Sequence, residues 1–159
     1  MLEAASKGYT EVLQLLIDGG ADDKVTVRVS TGPSQSVHMT ALLLACIGGH
    51  AGVVRHLLAR GHNPSYISPG AFPPLLCAVR AAAADVVELL AVGGADMNAR
   101  NSAGATALHL ALSPPSDPMV RLLLRHGCNA ALANNQGLTP AALALQCARP
   151  DLAALLDPR

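Results

Sequence analysis

The side chains that could carry out chemistry in this sequence are six histidines and four cysteines, scattered along 159 residues. An enzyme site needs a convergent set of acid, base or nucleophile, and a zinc site usually has closely spaced pairs of ligands. Four histidines have no cysteine or carboxylate at the spacing of zinc ligands: His38, His56, His62 and His126. We therefore expect no metal site, no cofactor and no catalytic residue.

The cysteines are expected to be reduced thiols. They lie far apart without a CxxC pair, and a chain of this length does not need disulfides for stability. A cysteine nucleophile needs an electropositive, accessible setting. Cys46 and Cys77 lie within apolar runs and are expected in the core, whereas Cys128, after Gly127, and Cys147, near a helix end, are candidates for exposure. Reduced thiols favour an intracellular protein, cytoplasmic or nuclear.

Composition and charge exclude several classes of partner. The formal net charge is 0, from 11 basic and 11 acidic residues without a block of like charge. This balance argues against nucleic-acid binding and against a polybasic membrane patch. The uncharged apolar stretch at residues 61–79 contains four prolines, so it cannot be a membrane helix, and we expect no direct membrane insertion.

Internal repetition organises the elements that must position these side chains. Similar apolar segments begin every 33 residues, at Thr40, Pro73, Thr106 and Thr139. A second apolar run follows each of them, beginning at Val53, Val86, Met119 and Leu152. Glycines close three of these runs, each followed two residues later by Asn or Asp: Gly61 with Asn63, Gly94 with Asp96, and Gly127 with Asn129. The pattern predicts two helices, a left-handed glycine and a tight turn in each unit, and such units must stack to bury their apolar faces.

The segments "TALHLA", "GGH" and "GGADMNA", which keep the 33-residue register, resemble the ankyrin repeat. The resemblance covers nearly the whole chain. It implies an all-α repeat solenoid in which stacked antiparallel helix pairs carry projecting β-hairpin loops. It also implies a protein-protein interaction module rather than an enzyme.

We expect a single ankyrin-repeat domain at residues 1–159, with units at about 1–23, 24–67, 68–100, 101–133 and 134–159. The first unit is truncated, because the alignment places Met1 inside its first helix, and we therefore expect a portion of a longer protein. The second unit has an enlarged loop. In later units "AAAA" and "SPPSDP" replace the Gly-His turn, so their turns between helices are expected to differ in shape.

Four polar residues have roles implied by the resemblance. In the family, the pair equivalent to Thr106 and His109 makes a structural hydrogen bond, and His50 occupies the Gly-His turn. Asn98 resembles the loop asparagine that cytosolic asparaginyl hydroxylases modify. The alternative for Asn98, which we favour, is that it only fixes its turn through backbone hydrogen bonds.

The resemblance places partners on the hairpin tips and on the exposed side of the first helices. The partner-binding candidates are Val27, Arg28, Val37, Met39, Ile47, Tyr66, Phe72, Arg80, Ser102, Gln136 and Leu138. Phe72 is the only phenylalanine in the chain, and aromatic and arginine side chains are favoured interface anchors. Because this set is mainly apolar, an extended or helical apolar segment of another protein or peptide fits it best.

Two functions are open on this basis. An adaptor that binds another protein is favoured, because the hairpin tips differ from unit to unit and one is lengthened. The alternative is a structural or autoregulatory spacer that packs against another domain of its own larger protein. In either case we expect the isolated domain to be monomeric.

The enlarged loop at residues 24–39, "KVTVRVSTGPSQSVHM", is about eight residues longer than the family length. Val25, Val27 and Val29 occupy alternate positions, and Gly32 with Pro33 supplies a turn, so the pattern predicts a β-hairpin. A lone two-stranded hairpin is marginal in water. We expect the next loop, which carries Tyr66 and Phe72, and a partner to cover its valines; a disordered insertion is the alternative.

Overall fold

The computed structural model of the protein describes residues 1–32, 35–68 and 70–157. The chain divides into two compact units, Met1–Ala95 and Asp96–Arg159. Each unit is built from short antiparallel helix pairs. The single domain that the sequence predicts stays a prediction.

The first unit contains three helix pairs: α1 (Leu2–Lys7) with α2 (Thr10–Asp18), α3 (Ala41–Gly48) with α4 (Ala51–Ala59), and α5 (Pro74–Arg80) with α6 (Ala84–Val92). The first helices of the pairs pack side by side, α1 on α3 and α3 on α5, and the second helices pack in the same order. Leucine and valine side chains between them are fully buried, among them Leu13, Leu57, Leu76, Val86 and Leu90. Each pair thus covers the apolar face of its neighbour, as the repeat predicts.

The second unit contains two helix pairs: α7 (Ala107–Leu110) with α8 (Asp117–Arg125), and α9 (Pro140–Gln146) with α10 (Pro150–Leu156). Helix α7 packs on both α8 and α9, and α9 packs on α10. Helix α7 has only four residues. Pro114 and Pro115 follow it closely, and prolines cannot continue a helix.

Threonines cap the first helices of three units. The Oγ1 atom of Thr40 accepts a hydrogen bond from Leu43 N at 3.0 Å, and that of Thr139 accepts one from Ala142 N at 3.3 Å. Thr106 forms a capping box with His109. These bonds satisfy N–H groups that have no partner inside the helix.

The turns after α4, α6 and α8 also have the predicted geometry. Gly61, Gly94 and Gly127 adopt φ values of 83°, 83° and 79°, which L-residues with a side chain rarely adopt. Two residues later, the Oδ1 atom of Asn63, Asp96 or Asn129 accepts a hydrogen bond from the backbone N–H two positions on, at 2.8–2.9 Å. These Asx turns direct the chain into the following loop.

The turns between the two helices of a pair share one left-handed residue in the second, third and last pairs, so the prediction of an individual shape is wrong for the "AAAA" turn and holds for the "SPPSDP" turn. Gly49 takes the left-handed conformation in the second pair, with φ 71°. In the "AAAA" turn Ala82 takes its place with φ 52°, and Ala148 does so in the last pair with φ 56°. The "SPPSDP" turn instead contains a β-bridge between Leu112 and Pro115.

The enlarged loop forms the predicted hairpin. Strands β1 (Thr26–Gly32) and β2 (Gln35–Thr40) are antiparallel, with Val27 opposite Met39 and Arg28 opposite His38. Pro33, half of the predicted turn, lies outside the described residues. Within the parts of the chain that the structure describes, no helix is long and apolar enough to cross a membrane.

Candidate protein-binding site

Three of the partner-binding candidates meet in one groove of the first unit. Ile47 comes from the end of α3, Phe72 from the loop before α5, and Arg80 from the last position of α5. Cys77 and Ala81 complete the lining, and the groove has a volume of about 330 Å³. Because α3 and α5 pack side by side, residues 33 apart in sequence approach across adjacent units.

The groove exposes apolar surface. Ile47 and Phe72 are 46% and 42% exposed, high values for large apolar side chains. Above the Phe72 ring lies the Arg80 guanidinium carbon, 5.9 Å from the ring centroid, which is within the range of a cation–π contact. The contact orders both side chains before any partner arrives, which lowers the entropy cost of binding.

Cys77 forms the buried wall of this groove. The sequence predicts a core position for Cys77. The structure confirms this position and shows that Cys77 also lines the groove. Burial raises the pKa of the Cys77 thiol to about 11, while the positive charge of Arg80 acts in the opposite direction. The thiol is therefore protonated at neutral pH and serves as apolar surface rather than as a nucleophile.

The four hairpin candidates lie on paired strands. Val27 and Arg28 of β1 are exposed, whereas Val37 and Met39 of β2 are half-buried. Val27 pairs with Met39, so one face of the hairpin carries an apolar cross-strand pair.

Tyr66 does not join Phe72. The sequence places both in one loop region, but Tyr66 lines a separate cleft of about 270 Å³ at the base of the hairpin. Thr26 and Thr40 of the hairpin and Arg60 and Asn63 of the loop after α4 also line that cleft. The two aromatic side chains therefore belong to two different surfaces of the first unit.

An ion-pair cluster that the sequence analysis missed anchors the hairpin base. Arg60 Nε donates a hydrogen bond to Asp23 Oδ2 at 2.9 Å, and His62 Nε2 lies 3.3 Å from the same oxygen. The hydrogen bond from Arg60, aided by His62, holds the pKa of Asp23 below its ordinary value. Asp23 lies 37 residues from Arg60, an interval outside the 33-residue period, so no repeat signal links them.

The three candidates of the second unit lie on its loops. Ser102 and Gln136 are exposed and Leu138 is half-buried. Asn135 Nδ2 donates to Ser102 O at 2.9 Å, which links the two loops. The carbonyl oxygen of Leu138 accepts a hydrogen bond from His109 Nε2 at 2.9 Å, so the Leu138 backbone has a structural role.

The predicted structural roles of His109 and His50 are confirmed. Thr106 N donates to His109 Nδ1 at 3.2 Å, and the Thr106 hydroxyl lies 2.9 Å from the same nitrogen. His50 Nε2 lies 2.8 Å from the carbonyl oxygen of Ser6, to which it can donate. The Oδ1 atom of Asn98 accepts from Asn129 N at 2.7 Å, 31 residues further on, so its side chain joins two loops.

One expectation about the cysteines was wrong. Cys128, a candidate for exposure, is buried, and its thiol donates to Met97 O at 3.1 Å. Burial, with a smaller contribution from Asp96, raises its pKa to about 12. Cys147 is exposed and Cys46 is buried, as expected, and burial raises the pKa of Cys46 as well. Among the described residues, no three His, Cys, Asp or Glu side chains cluster in a way that could hold a metal ion.

Comparison with known proteins agrees with this architecture. The family model for ankyrin repeats, which spans three copies, matches residues 1–101 and 75–157. An ankyrin repeat protein of fowlpox virus (strain NVSL) is 35% identical over 121 residues, covering 74% of this chain and 36% of its own length. The mouse B-cell lymphoma 3 protein homolog is 33% identical over 129 residues, covering 80% of this chain and 28% of its own.

An ankyrin repeat-containing protein of Treponema pallidum (strain Nichols) is 30% identical over 150 residues, covering 94% of this chain and 48% of its own. The chain thus spans less than half the length of each of these three relatives. It belongs to the ankyrin repeat family, whose members are general protein-protein interaction modules.

Proposed function

We propose that this chain is a non-catalytic adaptor that binds a segment of another protein along its first helices and hairpin tips. The observation that carries the proposal is the groove in which Ile47, Phe72 and Arg80 converge. An exposed aromatic ring stacked under an arginine is the kind of preformed anchor that dominates interface energetics. The hairpin candidates Val27 and Met39 extend the apolar surface available in the same unit.

The proposal that the module works without catalysis rests on the state of its reactive groups. The thiols of Cys46, Cys77 and Cys128 are buried, and burial raises the pKa of each. His109 is held between the Thr106 cap and the Leu138 carbonyl, so neither of its nitrogens faces a substrate. A nucleophile and a base must approach each other within hydrogen-bond distance, and these groups are committed elsewhere.

The partner we propose is a protein or peptide with an extended or helical apolar segment. A net charge of 0 supports neither nucleic acid nor an anionic membrane surface as the ligand. We further propose that the isolated domain is monomeric and acts inside the cell, in the cytoplasm or nucleus. Four free thiols support a reducing compartment.

Site-specific photo-crosslinking tests the adaptor proposal directly. The photoreactive residue p-benzoylphenylalanine is placed at position 72, and in a matched control at Val92, which is 77% exposed on α6 of the same unit. We expect a distinct protein crosslinked from position 72 and not from position 92. We expect Ile47→Ala and Phe72→Ala to weaken binding of that protein, measured by calorimetry, at least tenfold.

Other outcomes of the crosslinking contradict the adaptor function. Crosslinks from position 72 only to other segments of the protein's own longer chain would establish the autoregulatory spacer instead. Equal crosslinking from positions 72 and 92 would mean that the groove has no selective partner.

We also propose Asn98 as a site of hydroxylation by a cytosolic asparaginyl hydroxylase. Asn98 lies half-exposed in the loop after α6, and the bond from Asn129 N to its Oδ1 atom holds the side chain in place. Mass spectrometry of the protein purified from cells should find one added oxygen on the peptide that contains Asn98. Its absence, with the enzyme expressed and a known substrate modified, would end the proposal.

A further inference from the structure

We propose that the groove formed by Ile47, Phe72, Cys77, Arg80 and Ala81 selects a partner segment in which an aliphatic residue lies close to an aspartate or glutamate. The inference rests on the proposed binding function and specifies the chemistry of the segment. The aliphatic side chain enters the groove, and the carboxylate pairs with the Arg80 guanidinium. Neither the repeat pattern nor the similarity to other ankyrin proteins assigns this preference.

The apolar half of the preference follows from the lining. Ile47, Phe72 and Ala81 present hydrocarbon, and the Cys77 thiol is neutral because burial raises its pKa. A volume of about 330 Å³ lies near the lower end of the range for ligand pockets, about 300–1,000 Å³, which suits one or two side chains. When an aliphatic side chain of the partner enters the groove, its surface and the groove lining are both removed from water. This burial is the main source of the proposed affinity.

The acidic half of the preference follows from Arg80. The Arg80 guanidinium lies over the Phe72 ring, so the ring contacts the face of the guanidinium. The five N–H donors of the guanidinium point outward in its plane and take no part in this contact. No hydrogen bond or ion pair joins Arg80 to a carboxylate within the described residues, and no carboxylate lines the groove. A bidentate carboxylate is the ligand that best matches this free edge.

The charge of the groove argues for a carboxylate rather than a phosphate group or nucleic acid. Among the described residues, Arg80 is the only cation in the lining, and the chain as a whole is neutral. Nucleic-acid surfaces need several cations to neutralise successive phosphates. One arginine beside hydrocarbon instead matches one carboxylate beside an aliphatic side chain, which is a common feature of peptides.

Peptide selection with the full chain tests this preference. A displayed library of random 12-residue peptides is selected on the wild-type protein, on Arg80→Gln and on Arg55→Gln. Arg55 is an exposed arginine on α4 of the same unit, outside the groove lining, and therefore a matched control. Synthetic versions of the selected peptides, with each Asp or Glu replaced by Asn or Gln, are then titrated by fluorescence anisotropy.

We expect the wild-type protein and Arg55→Gln to enrich peptides with Asp or Glu within about two residues of Leu, Ile, Val or Met. We expect Arg80→Gln to lose the acidic bias while it keeps the aliphatic one. Amidation of the carboxylate should weaken binding to the wild type roughly tenfold and to Arg80→Gln hardly at all, since only the wild type loses charge-assisted hydrogen bonds to the guanidinium. Circular dichroism confirms that each variant is folded.

Failure of the inference is distinguishable from failure of the binding function. Peptides that depend on Ile47 and Phe72 but show no acidic bias would overturn the carboxylate preference and leave the binding function intact. A library that yields no peptide dependent on Ile47 and Phe72 would overturn both. Self-association, detected by light scattering and abolished by Phe72→Ala, would identify a second copy as the occupant and overturn the peptide proposal.

Discussion

His109 is bound through both ring nitrogens, which sets its tautomer. A carbonyl oxygen can only accept, so Nε2, which contacts Leu138 O, carries the proton, and Nδ1 accepts from Thr106 N. The side chain is almost completely buried, so these bonds replace contacts that water would otherwise supply. One residue thus secures the start of α7 and the loop before α9, which lies 29 residues further along the chain.

Replacing His109 by leucine should therefore be costly. The His109→Leu variant leaves Thr106 N and Leu138 O without their partner in a buried setting, at a cost of about 2–4 kcal/mol in the free energy of unfolding. Urea denaturation followed by circular dichroism measures this loss. A double-mutant cycle with Thr106→Val serves as the control: simple additivity of the two losses would contradict the coupled cap.

Ala82 is one of two alanines, with Ala148, at which the described backbone is strained. Its φ of 52° is left-handed, and the Cβ atom makes that conformation unfavourable by about 1–2 kcal/mol, whereas the equivalent Gly49 pays no such cost. We expect Ala82→Gly to raise stability by about 0.5–1 kcal/mol after the entropy of the unfolded glycine is subtracted. The neighbour Ala81, with φ −76°, is the control, and Ala81→Gly should lower stability. Thermal unfolding that ranks the two variants the other way would contradict the strain.

At the scale of elements, equivalent positions on second helices differ in how far they are covered. Leu57 of α4 is fully buried, whereas Leu16, its counterpart on α2, is 39% exposed. Val53 and Val12 differ in the same way. Helix α4 is packed between α2 and α6, whereas the main helix contacts of α2 are with α1 and α4, and its Val12 and Leu16 side chains face solvent.

This difference predicts unequal costs for the same substitution. Leu57→Ala should lower the free energy of unfolding by about 2–5 kcal/mol, because it opens a cavity in a packed interior. Leu16→Ala should lower it by about 1 kcal/mol, because less area leaves the protein interior and solvent fills the gap. Urea denaturation, with midpoints compared at equal m-values, measures the loss in the free energy of unfolding for each variant. Equal losses would show that Leu16 is as well covered as Leu57.

The hairpin depends on an ionic contact at its base, which gives it a pH dependence. Because Arg60 and His62 favour the ionised carboxylate, the pKa of Asp23 is lower in the folded state than in the unfolded chain. The stabilisation is therefore complete above the unfolded aspartate pKa of about 3.9 and is lost as the pH falls toward the folded value. We expect Asp23→Asn to speed amide hydrogen exchange in β1 and β2 at neutral pH, with little change in α5 and α6.

A contrasting variant separates this ionic contact from mere packing. Asp22→Asn alters the neighbouring carboxylate, whose Oδ1 atom accepts only from Lys24 N, and an asparagine oxygen can keep that bond. Asp22→Asn should therefore leave exchange in the hairpin unchanged. Protection in β1 and β2 that is equal in the Asp23→Asn variant and the wild type would mean that strand pairing alone holds the hairpin.

At the scale of the whole molecule, the parts that follow from the repeat were predictable from the sequence. The 33-residue period placed the helix pairs and the left-handed glycines, and the ankyrin resemblance implied the Thr106–His109 contact; each depends on residues close in sequence. The hairpin was predictable for the same reason, from the alternation of Val25, Val27 and Val29.

Contacts between loops were not predictable in this way. The burial of Cys128 depends on Met97, which lies 31 residues earlier in the loop after α6. The stacking of Arg80 on Phe72, the separate cleft of Tyr66 and the Asp23–Arg60 pair also depend on how irregular loops fold back. Beyond the repeated glycine and Asx turns, these loop conformations have no periodic signal, so the site was predicted as a set of candidates and not as a groove.

The prediction of one domain over residues 1–159 has a direct thermodynamic test. The chain contains no tryptophan, so a single introduced tryptophan reports only on its surroundings. Val92→Trp and Leu145→Trp place that probe at exposed positions in the first and second compact unit, respectively.

In repeat proteins, the stability of the array is the sum of the stabilities of the repeats and of the contacts between neighbouring repeats. One unbroken array should therefore unfold in one cooperative step. We expect the two fluorescence transitions in urea to coincide with each other and with the loss of circular dichroism. Two separated midpoints would mean that Met1–Ala95 and Asp96–Arg159 are independent folding units, and that the uniform 33-residue spacing conceals a boundary between them.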